Sequence, residues 1–239
     1  MKHLLLSSLL AAATALHAFA AAPAVTPLGS SAGTYLAPAR VATDTAGNAF
    51  IVDPLAGQIT VVDAFNRVTM VKEGLAEPLA IAADTAGRRY VGESRLGSVT
   101  VFSPEWNPLG RLGAGTNEFQ LPGYVALDAA PDGLLVYVSD GPAHEIKVYR
   151  EGALLRRFGS LGNGSGQFNF PAGLWVSPAG ELYAVDQNND RVQVFDRAGT
   201  FLRSFTLRPS GWTGKSGRAQ ASSAMPRAGF TWRTLSRAL

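Results

Sequence analysis

Short runs of alternating apolar and polar residues, separated by turns that contain glycine, dominate the chain after residue 35. One run begins at Ile59, and similar runs begin at Val99, Ile146 and Val192. Alternation with a period of two places one set of side chains on each face of a β-strand. No apolar stripe of helical period runs for three turns after residue 20. The pattern therefore predicts an all-β fold of many short strands.

The strands recur in four units, and such internal repetition is typical of repeat architectures. In each unit a proline opens an apolar strand, a turn glycine follows, and a second strand ends in an acid. The prolines are Pro38, Pro78, Pro122 and Pro171, the glycines Gly47, Gly87, Gly133 and Gly180, and the acids Asp53, Glu93, Asp140 and Asp186. The proline-to-acid spacing is 15, 15, 18 and 15 residues, and we expect residues 129–132 to enlarge the turn of the third unit.

A third strand begins six residues past each acid, and a more polar fourth strand follows, as in Ala153–Phe158. One four-stranded sheet of this kind cannot bury both of its faces. Successive sheets are therefore expected to stack face to face around an axis as the blades of a propeller. The prediction is an all-β propeller of four-stranded antiparallel blades over residues 24–206, with repeats at about 35–72, 75–112, 119–158 and 168–205.

The fourth unit resembles the NHL repeat. The match comprises Phe168, Pro171, Gly173, Gly180, Tyr183, Asp186, Asn188, Asn189, Arg191, Val192, Val194, Phe195, Gly199 and Phe205, and the preceding Gly159–Gly166 resembles the link between blades of that family. The other units diverge, with Gln58, Ser98 and Glu145 where the fourth has Arg191. The resemblance implies a propeller that usually has six blades, of which four are visible. The chain is then a four-bladed ring, part of a longer protein, or an open arc whose unpaired faces favour oligomerisation or a partner.

The two ends of the chain differ from its body. Residues 1–20 combine a basic start, the apolar stretch Leu4–Leu16 and small residues before Ala20, which predicts a signal peptide cleaved near Ala20. The alternative is an uncleaved anchor. We expect a secreted or periplasmic product without a transmembrane segment in the mature chain. Residues 207–239 hold no acid, which indicates either a truncated or frameshifted end or a basic, disordered tail.

Charge and cysteine content narrow the functional classes. The net charge is +3, yet all 18 acids lie within residues 21–196, so the body of the chain is acidic. A nucleic-acid surface needs clustered cations on the folded face, and none is expected there. The chain has no cysteine, which excludes disulfides and cysteine-ligated metals.

Few residues are candidates for chemistry. We interpret the recurring acids Asp53, Glu93, Asp140 and Asp186 as structural, each accepting hydrogen bonds from its own turn, with Arg191 paired to Asp186; the alternative is a ring of carboxylates that binds a cation. The stretch Asn188–Asp190 is expected to form a tight turn, with a calcium site as the alternative. His144, the one histidine after the signal peptide, is expected in a solvated loop, and alone it cannot build a zinc site. No catalytic, metal or cofactor-binding residue is predicted.

The aromatic residues Trp106, Tyr124 and Trp175 are expected in the core or at the rim, where exposed ones would anchor a peptide or sugar. The resemblance implies a non-enzymatic scaffold that binds a protein, peptide or glycan. One alternative is a propeller enzyme resembling peptide-amidating lyases or calcium-dependent lactonases. Another is RNA binding, against which the signal peptide and the acidic body argue.

Overall fold

A computed structural model describes residues 35–115 and 118–207 of the chain. The predicted signal peptide and the predicted tail beyond Leu207 lie outside the described residues. Within them the chain forms strands and one 3-10 turn, Gln187–Asn189, and no α-helix. The all-β prediction is confirmed.

The strands form four antiparallel sheets of four strands each, and every sheet comes from one repeat, with its strands adjacent in chain order. We number the sheets blades 1 to 4. Blade 1 comprises β1 (Arg40–Thr43), β2 (Ala49–Asp53), β3 (Gln58–Val62) and β4 (Val68–Lys72), and blade 2 comprises β5 (Pro78–Ala83), β6 (Arg89–Glu93), β7 (Ser98–Phe102) and β8 (Pro108–Leu112). Blade 3 comprises β9 (Pro122–Ala130), β10 (Gly133–Asp140), β11 (Glu145–Arg150) and β12 (Ala153–Phe158), and blade 4 comprises β13 (Pro171–Val176), β14 (Leu182–Asp186), β15 (Arg191–Phe195) and β16 (Phe201–Thr206).

The first hairpin of blade 3 differs from the sequence expectation. Residues 129–132 were expected to enlarge a turn, but Ala129 and Ala130 continue β9 and pair with Leu134 and Gly133. The extra residues therefore lengthen both strands instead of the turn. An added pair of residues can extend an antiparallel ladder without changing which face each side chain occupies, because the side-chain period is two.

Facing blades bury apolar side chains in three cores, between blades 1 and 2, blades 2 and 3, and blades 3 and 4. The third strand of each blade is buried along nearly its whole length, as in β3, whereas the fourth strand is largely exposed, as in β4. This gradient follows from face-to-face stacking, since a middle strand is covered on both faces and an outermost strand is not. The predicted stacking of successive sheets is thus observed.

An ion pair crosses between blades 3 and 4. The guanidinium of Arg197 donates to the Asp128 carboxylate at 2.6 Å and lies directly over Gly180. Gly180 has a φ of +83°, and a Cβ there would collide with the guanidinium.

In the part of the chain that the structure describes, no helix has the length and apolar run needed to cross a membrane.

Candidate functional site

Each recurring acid links the second strand of its blade to the segment that precedes the first strand. Their side chains are buried, with exposures of 0% for Asp53, 4% for Glu93, 0% for Asp140 and 0% for Asp186. Each accepts a backbone hydrogen bond from the residues just before the first strand of its own blade. The donors are Leu36 (2.6 Å) and Ala37 (3.1 Å) for Asp53, Ala76 (2.8 Å) for Glu93, Gln120 (3.0 Å) and Leu121 (2.9 Å) for Asp140, and Asn169 (2.7 Å) for Asp186.

The sequence analysis expected each acid to accept hydrogen bonds from its own turn. Among the hydrogen bonds of the described residues, only Asp53 accepts a backbone N–H from its own turn, from Ala56 at 3.1 Å. Burial raises the pKa of Asp53, but the N–H groups of Ala56, Leu36 and Ala37 outweigh burial and leave the pKa below its usual range. The carboxylate oxygens are thus occupied by protein donors, not directed at a shared ligand.

A second repeated position lies seven residues past each acid, on the third strand. Its side chain contacts the acid in three blades: Thr100 donates to Glu93, Lys147 to Asp140 at 2.9 Å, and Gln193 to Asp186 at 3.3 Å. In blade 1 the residue is Thr60, whose buried hydroxyl has no hydrogen-bond partner among the described residues. The sequence analysis did not single out this position, although it lies seven residues past the acid in every repeat.

Arg191 ties Asp186 to the glycine-rich link between blades 3 and 4. Its Nε donates to the Asp186 carboxylate at 2.8 Å, and its terminal nitrogen Nη2 donates to the carbonyls of Gly164 (2.7 Å) and Gln167 (2.9 Å). One guanidinium therefore fixes both the acid and the link, as its fork of donors allows. The other blades have Gln58, Ser98 and Glu145 at this place, and their links differ.

The stretch Asn188–Asp190 forms a turn held by protein groups. Asn188 donates to the Asn169 side chain at 3.1 Å, and Asn189 donates to the Asp186 carboxylate at 2.8 Å. Asp190 adopts a left-handed conformation with a φ of 49°. Within residues 35–115 and 118–207, no three His, Cys, Asp or Glu side chains converge in a way that could hold a metal ion.

His144 differs from its expected solvated state. It is half-buried in the turn between β10 and β11, and its Nδ1 accepts the backbone N–H of Phe170 at 3.1 Å. The ring thus joins blade 3 to the start of blade 4. A histidine committed to a backbone donor in this way acts as a structural contact.

The three aromatic candidates occupy different environments. Trp106 is 4% exposed and packs between Phe50 of blade 1 and Phe102 of blade 2, so it is a core residue and cannot anchor a surface ligand. Trp175 is half-buried and stacks on Tyr183, with ring centroids 5.1 Å apart.

Tyr124 lies half-buried on the innermost strand of blade 3. The Arg40 guanidinium of blade 1 stacks on its ring at 3.4 Å from the centroid, so the two residues link blade 1 to blade 3. Beside them is a cavity of about 110 Å³, also lined by Phe170 and Gln187. That volume holds a few water molecules and is too small for a peptide side chain with its backbone.

A larger cavity lies elsewhere, between blades 2 and 3, and we call it the 2–3 cleft. It measures about 540 Å³ and is open to solvent at the outer rim of the propeller. Its buried floor consists of Tyr90, Leu112 and Val136, each 4–5% exposed, and its walls include Val101 and Leu134. The volume lies within the range of small-molecule and side-chain pockets.

The rim of the 2–3 cleft is polar and exposed. Blade 2 contributes Arg88 and Arg111, and the turn between β11 and β12 of blade 3 contributes Glu151. Arg88 is paired with Asp84 at 2.7 Å, whereas Arg111 makes no ion pair with any residue that the structure describes. An apolar floor with a few convergent polar groups at its edge is the usual make-up of a binding pocket.

Tyr90 is the polar group of the cleft floor. Its hydroxyl lies 3.4 Å from the Asp84 carboxylate and donates to it weakly. Burial, opposed by Arg88 and reinforced by Asp84, raises the pKa of Tyr90 to about 12. The phenol therefore stays protonated at neutral pH, and the cleft floor carries no charge.

Comparison with solved structures identifies the same architecture. The structure superimposes on streptogramin B lyase with a TM-score of 0.58 and 13% identity, over 76% of this chain and 57% of the lyase chain. It also superimposes on a chain of the nidogen–laminin complex with a TM-score of 0.55 and 18% identity, over 72% of this chain and 64% of that one. With its four stacked four-stranded sheets, the chain is a β-propeller protein. It spans less than two thirds of either neighbour.

Sequence comparison adds a short likeness. The E3 ubiquitin-protein ligase TRIM32 of Homo sapiens is 42% identical over 57 residues, which are 24% of this chain and 9% of the ligase. No protein-family model matches the chain.

Proposed function

We propose that this protein is an exported propeller of the NHL type that works as a non-enzymatic scaffold and binds a protein or peptide at the 2–3 cleft. The observation that carries the proposal is the cleft itself, about 540 Å³ with an apolar floor and, at its rim, Arg111, which has no ion-pair partner among the described residues. The NHL assignment is supported by the motif residues of the fourth repeat, from Phe168 to Phe205.

The chemistry of the cleft favours a peptide over a glycan. Its floor and walls are mostly aliphatic, formed by residues such as Leu112, Leu134 and Val136, and Tyr90 supplies the only hydroxyl among the side chains that line it. Sugars need several hydrogen-bonding groups for their hydroxyls, because a buried hydroxyl without a partner is costly. An apolar side chain has no such need and gains by entering this floor.

The buried acids support a scaffold over an enzyme. Asp53, Asp140 and Asp186 are fully buried and hold backbone amides, so they are not directed at a substrate. Streptogramin B lyase, which the fold resembles, is only 13% identical, and that likeness concerns the fold alone. Nidogen, a second neighbour, is in complex with laminin, which is consistent with protein binding by this fold.

Binding is tested with a displayed library of random linear peptides selected on the mature chain, residues 21–239. Selected peptides are then measured against Gly110→Trp, which fills the cleft, and against Gly110→Ala as the matched control. Gly110 lines the cleft, and no atom lies within 4 Å of a Cβ added there, so both variants are expected to fold. Peptides that bind the wild type and Gly110→Ala but not Gly110→Trp support the proposal. If every selected peptide binds all three proteins equally, the cleft is not the binding site.

Export is tested separately. The full chain is produced in a bacterium with its own N-terminus, and the recovered protein is sequenced from its first residue. A product that starts at Ala21 and lies outside the cytoplasm supports the proposed signal peptide. Leu9→Arg interrupts the apolar stretch and should retain the uncleaved chain inside the cell. Export of Leu9→Arg at the wild-type level would contradict the proposal.

A further inference from the structure

We propose that the 2–3 cleft is an aromatic slot, which takes a tryptophan side chain of the partner peptide with a carboxylate next to it facing Arg111. This inference rests on the proposed function, because it names the residue type that the peptide inserts. The chain's own repeats support it, since the equivalent space between blades 1 and 2 is already filled by a tryptophan.

Between blades 1 and 2, Trp106 acts as a wedge. It belongs to the β7–β8 turn of blade 2, and its ring meets Phe50 of blade 1 with centroids 6.4 Å apart and planes at 65°. Arg89 stacks over the same indole at 4.7 Å and donates to the Ser103 and Pro104 carbonyls at 3.0 and 2.6 Å. An indole is therefore the shape that this fold accepts where the turn of one blade meets the preceding blade.

Among the described residues, no side chain takes the place of this wedge in the same space between blades 2 and 3. Counting back from the recurring acids, Tyr90 of blade 2 corresponds to Phe50 of blade 1, and Val136 of blade 3 corresponds to Arg89 of blade 2. Both line the 2–3 cleft. The turn that would carry the wedge is shorter, because only Glu151 and Gly152 separate β11 from β12, whereas residues 103–107 separate β7 from β8. The cleft is thus the place of a missing aromatic residue.

A second difference opens the cleft outward. Cross-strand neighbours form one row on the facing side of each blade, and these rows are Phe50–Val61–Met70 in blade 1, Tyr90–Val101–Gly110 in blade 2 and Tyr137–Val148–Arg156 in blade 3. Residues directly opposite each other in a ladder share a face. Of these three rows, only that of blade 2 ends in a residue without a side chain. A ligand can therefore reach Tyr90 from the rim over Gly110.

Charge places a carboxylate beside the slot. Arg111 pairs with Thr100, so it starts from the opposite face of β8 to Gly110, but it lines the 2–3 cleft at its outer edge. It is exposed and makes no ion pair with a described residue. Arg88 is neutralised by Asp84 on the same side, so Arg111 supplies the uncompensated charge of the blade 2 rim. A carboxylate next to the inserted ring would pair with Arg111 and leave Glu151 on the opposite side of the rim free of like-charge repulsion.

The experiment uses two matched probes, N-acetyltryptophan, which carries a carboxylate, and N-acetyltryptophanamide, which does not. Binding is followed by ligand-observed NMR and isothermal titration on the mature chain. For probes of this size we expect a Kd on the order of 0.1–1 mM for N-acetyltryptophan. The amide should bind about two- to fivefold more weakly, because an exposed ion pair contributes little.

Two variants separate the ring from the charge. Gly110→Trp should weaken both probes at least tenfold, while Gly110→Ala should not. Arg111→Gln should bind both probes equally, at the affinity of the amide for the wild type. A second way to fill the cleft is to exchange residues 150–152 for the five residues 103–107, which restores the wedge; it should act like Gly110→Trp. Thermal unfolding of each variant checks that the fold is retained.

The outcomes distinguish the slot from the proposed function. Equal binding of N-acetyltryptophan to the wild type and to Gly110→Trp, or none at tens of millimolar probe, overturns the slot. Cleft-dependent peptides without aromatic enrichment also overturn it and leave the proposed function standing. If the probes bind in the cleft but no peptide depends on it, the aromatic preference holds and the peptide-binding function fails. Selected peptides rich in tryptophan beside Asp or Glu support both.

Discussion

The ammonium group of Lys147 lies 2.9 Å from the Asp140 carboxylate, where the two side chains are 5% and 0% exposed. The same ammonium donates to the Glu118 carbonyl in the segment that leads into blade 3, and it lies 4.5 Å from the centre of the Phe119 ring. The Lys147 ammonium, on the third strand of blade 3, therefore links Asp140 on the second strand to the segment that leads into the blade. Blade 4 uses neutral Gln193 at the same place.

Lys147→Met should lower the free energy of unfolding by about 3–5 kcal/mol, because it removes one partner of a buried ion pair. Lys147→Gln copies the arrangement of blade 4, keeps a donor for Asp140, and should cost less. Urea denaturation at neutral pH measures both variants. If Lys147→Gln were as destabilising as Lys147→Met, the hydrogen bond to the carboxylate would not be what the position requires.

The equivalent threonines of blades 1 and 2 should respond in opposite ways to the same substitution. Thr60→Val should be neutral or slightly stabilising, because the buried Thr60 hydroxyl has no partner among the described residues. Thr100→Val removes a hydroxyl that donates to the buried Glu93 carboxylate, and it should cost about 1–3 kcal/mol. Thermal and urea unfolding of the two variants give the comparison, and a similar loss for both would contradict it.

Trp106→Ala should destabilise the protein by about 3–5 kcal/mol, because it empties the space between blades 1 and 2. Phe65→Ala is the control, since Phe65 is 76% exposed and its loss should change stability by no more than about 0.5 kcal/mol. Added indole should raise the unfolding temperature of Trp106→Ala more than that of Phe65→Ala. An absence of this difference would argue against the space between blades as a site that accepts an indole.

Asp53 gives the stability a defined pH dependence. Its pKa lies below the ordinary value of 3.8, because backbone donors outweigh burial. A depressed pKa in the folded state contributes stability that is present above the unfolded value and is lost as pH falls through the folded one. Asp53→Asn should therefore be less stable than the wild type by about 1–3 kcal/mol at neutral pH, and this difference should shrink below about pH 4. Urea unfolding across that range measures it; a constant difference would contradict the assignment.

The sequence by itself determined the blades. The period of the repeats, the alternation within each strand and the acids at Asp53, Glu93, Asp140 and Asp186 are local features, and local features dictate strands, turns and the order of pairing within a hairpin. The four sheets follow these features with a shift of about one residue, since the third strands begin at Gln58 and its counterparts instead of at Ile59.

Only the tertiary structure decided what lies between the blades. Three features depend on which side chains of separate sheets come face to face. Trp106 is buried against Phe50, Arg197 pairs with Asp128 of the neighbouring blade, and Gly110 leaves a cleft over Tyr90. Each of these contacts joins residues far apart in the chain, and a strand's own pattern says which face is apolar but not what covers it. The candidate site arises from a short turn and a missing side chain, which become a cavity only when the neighbouring blade is in place.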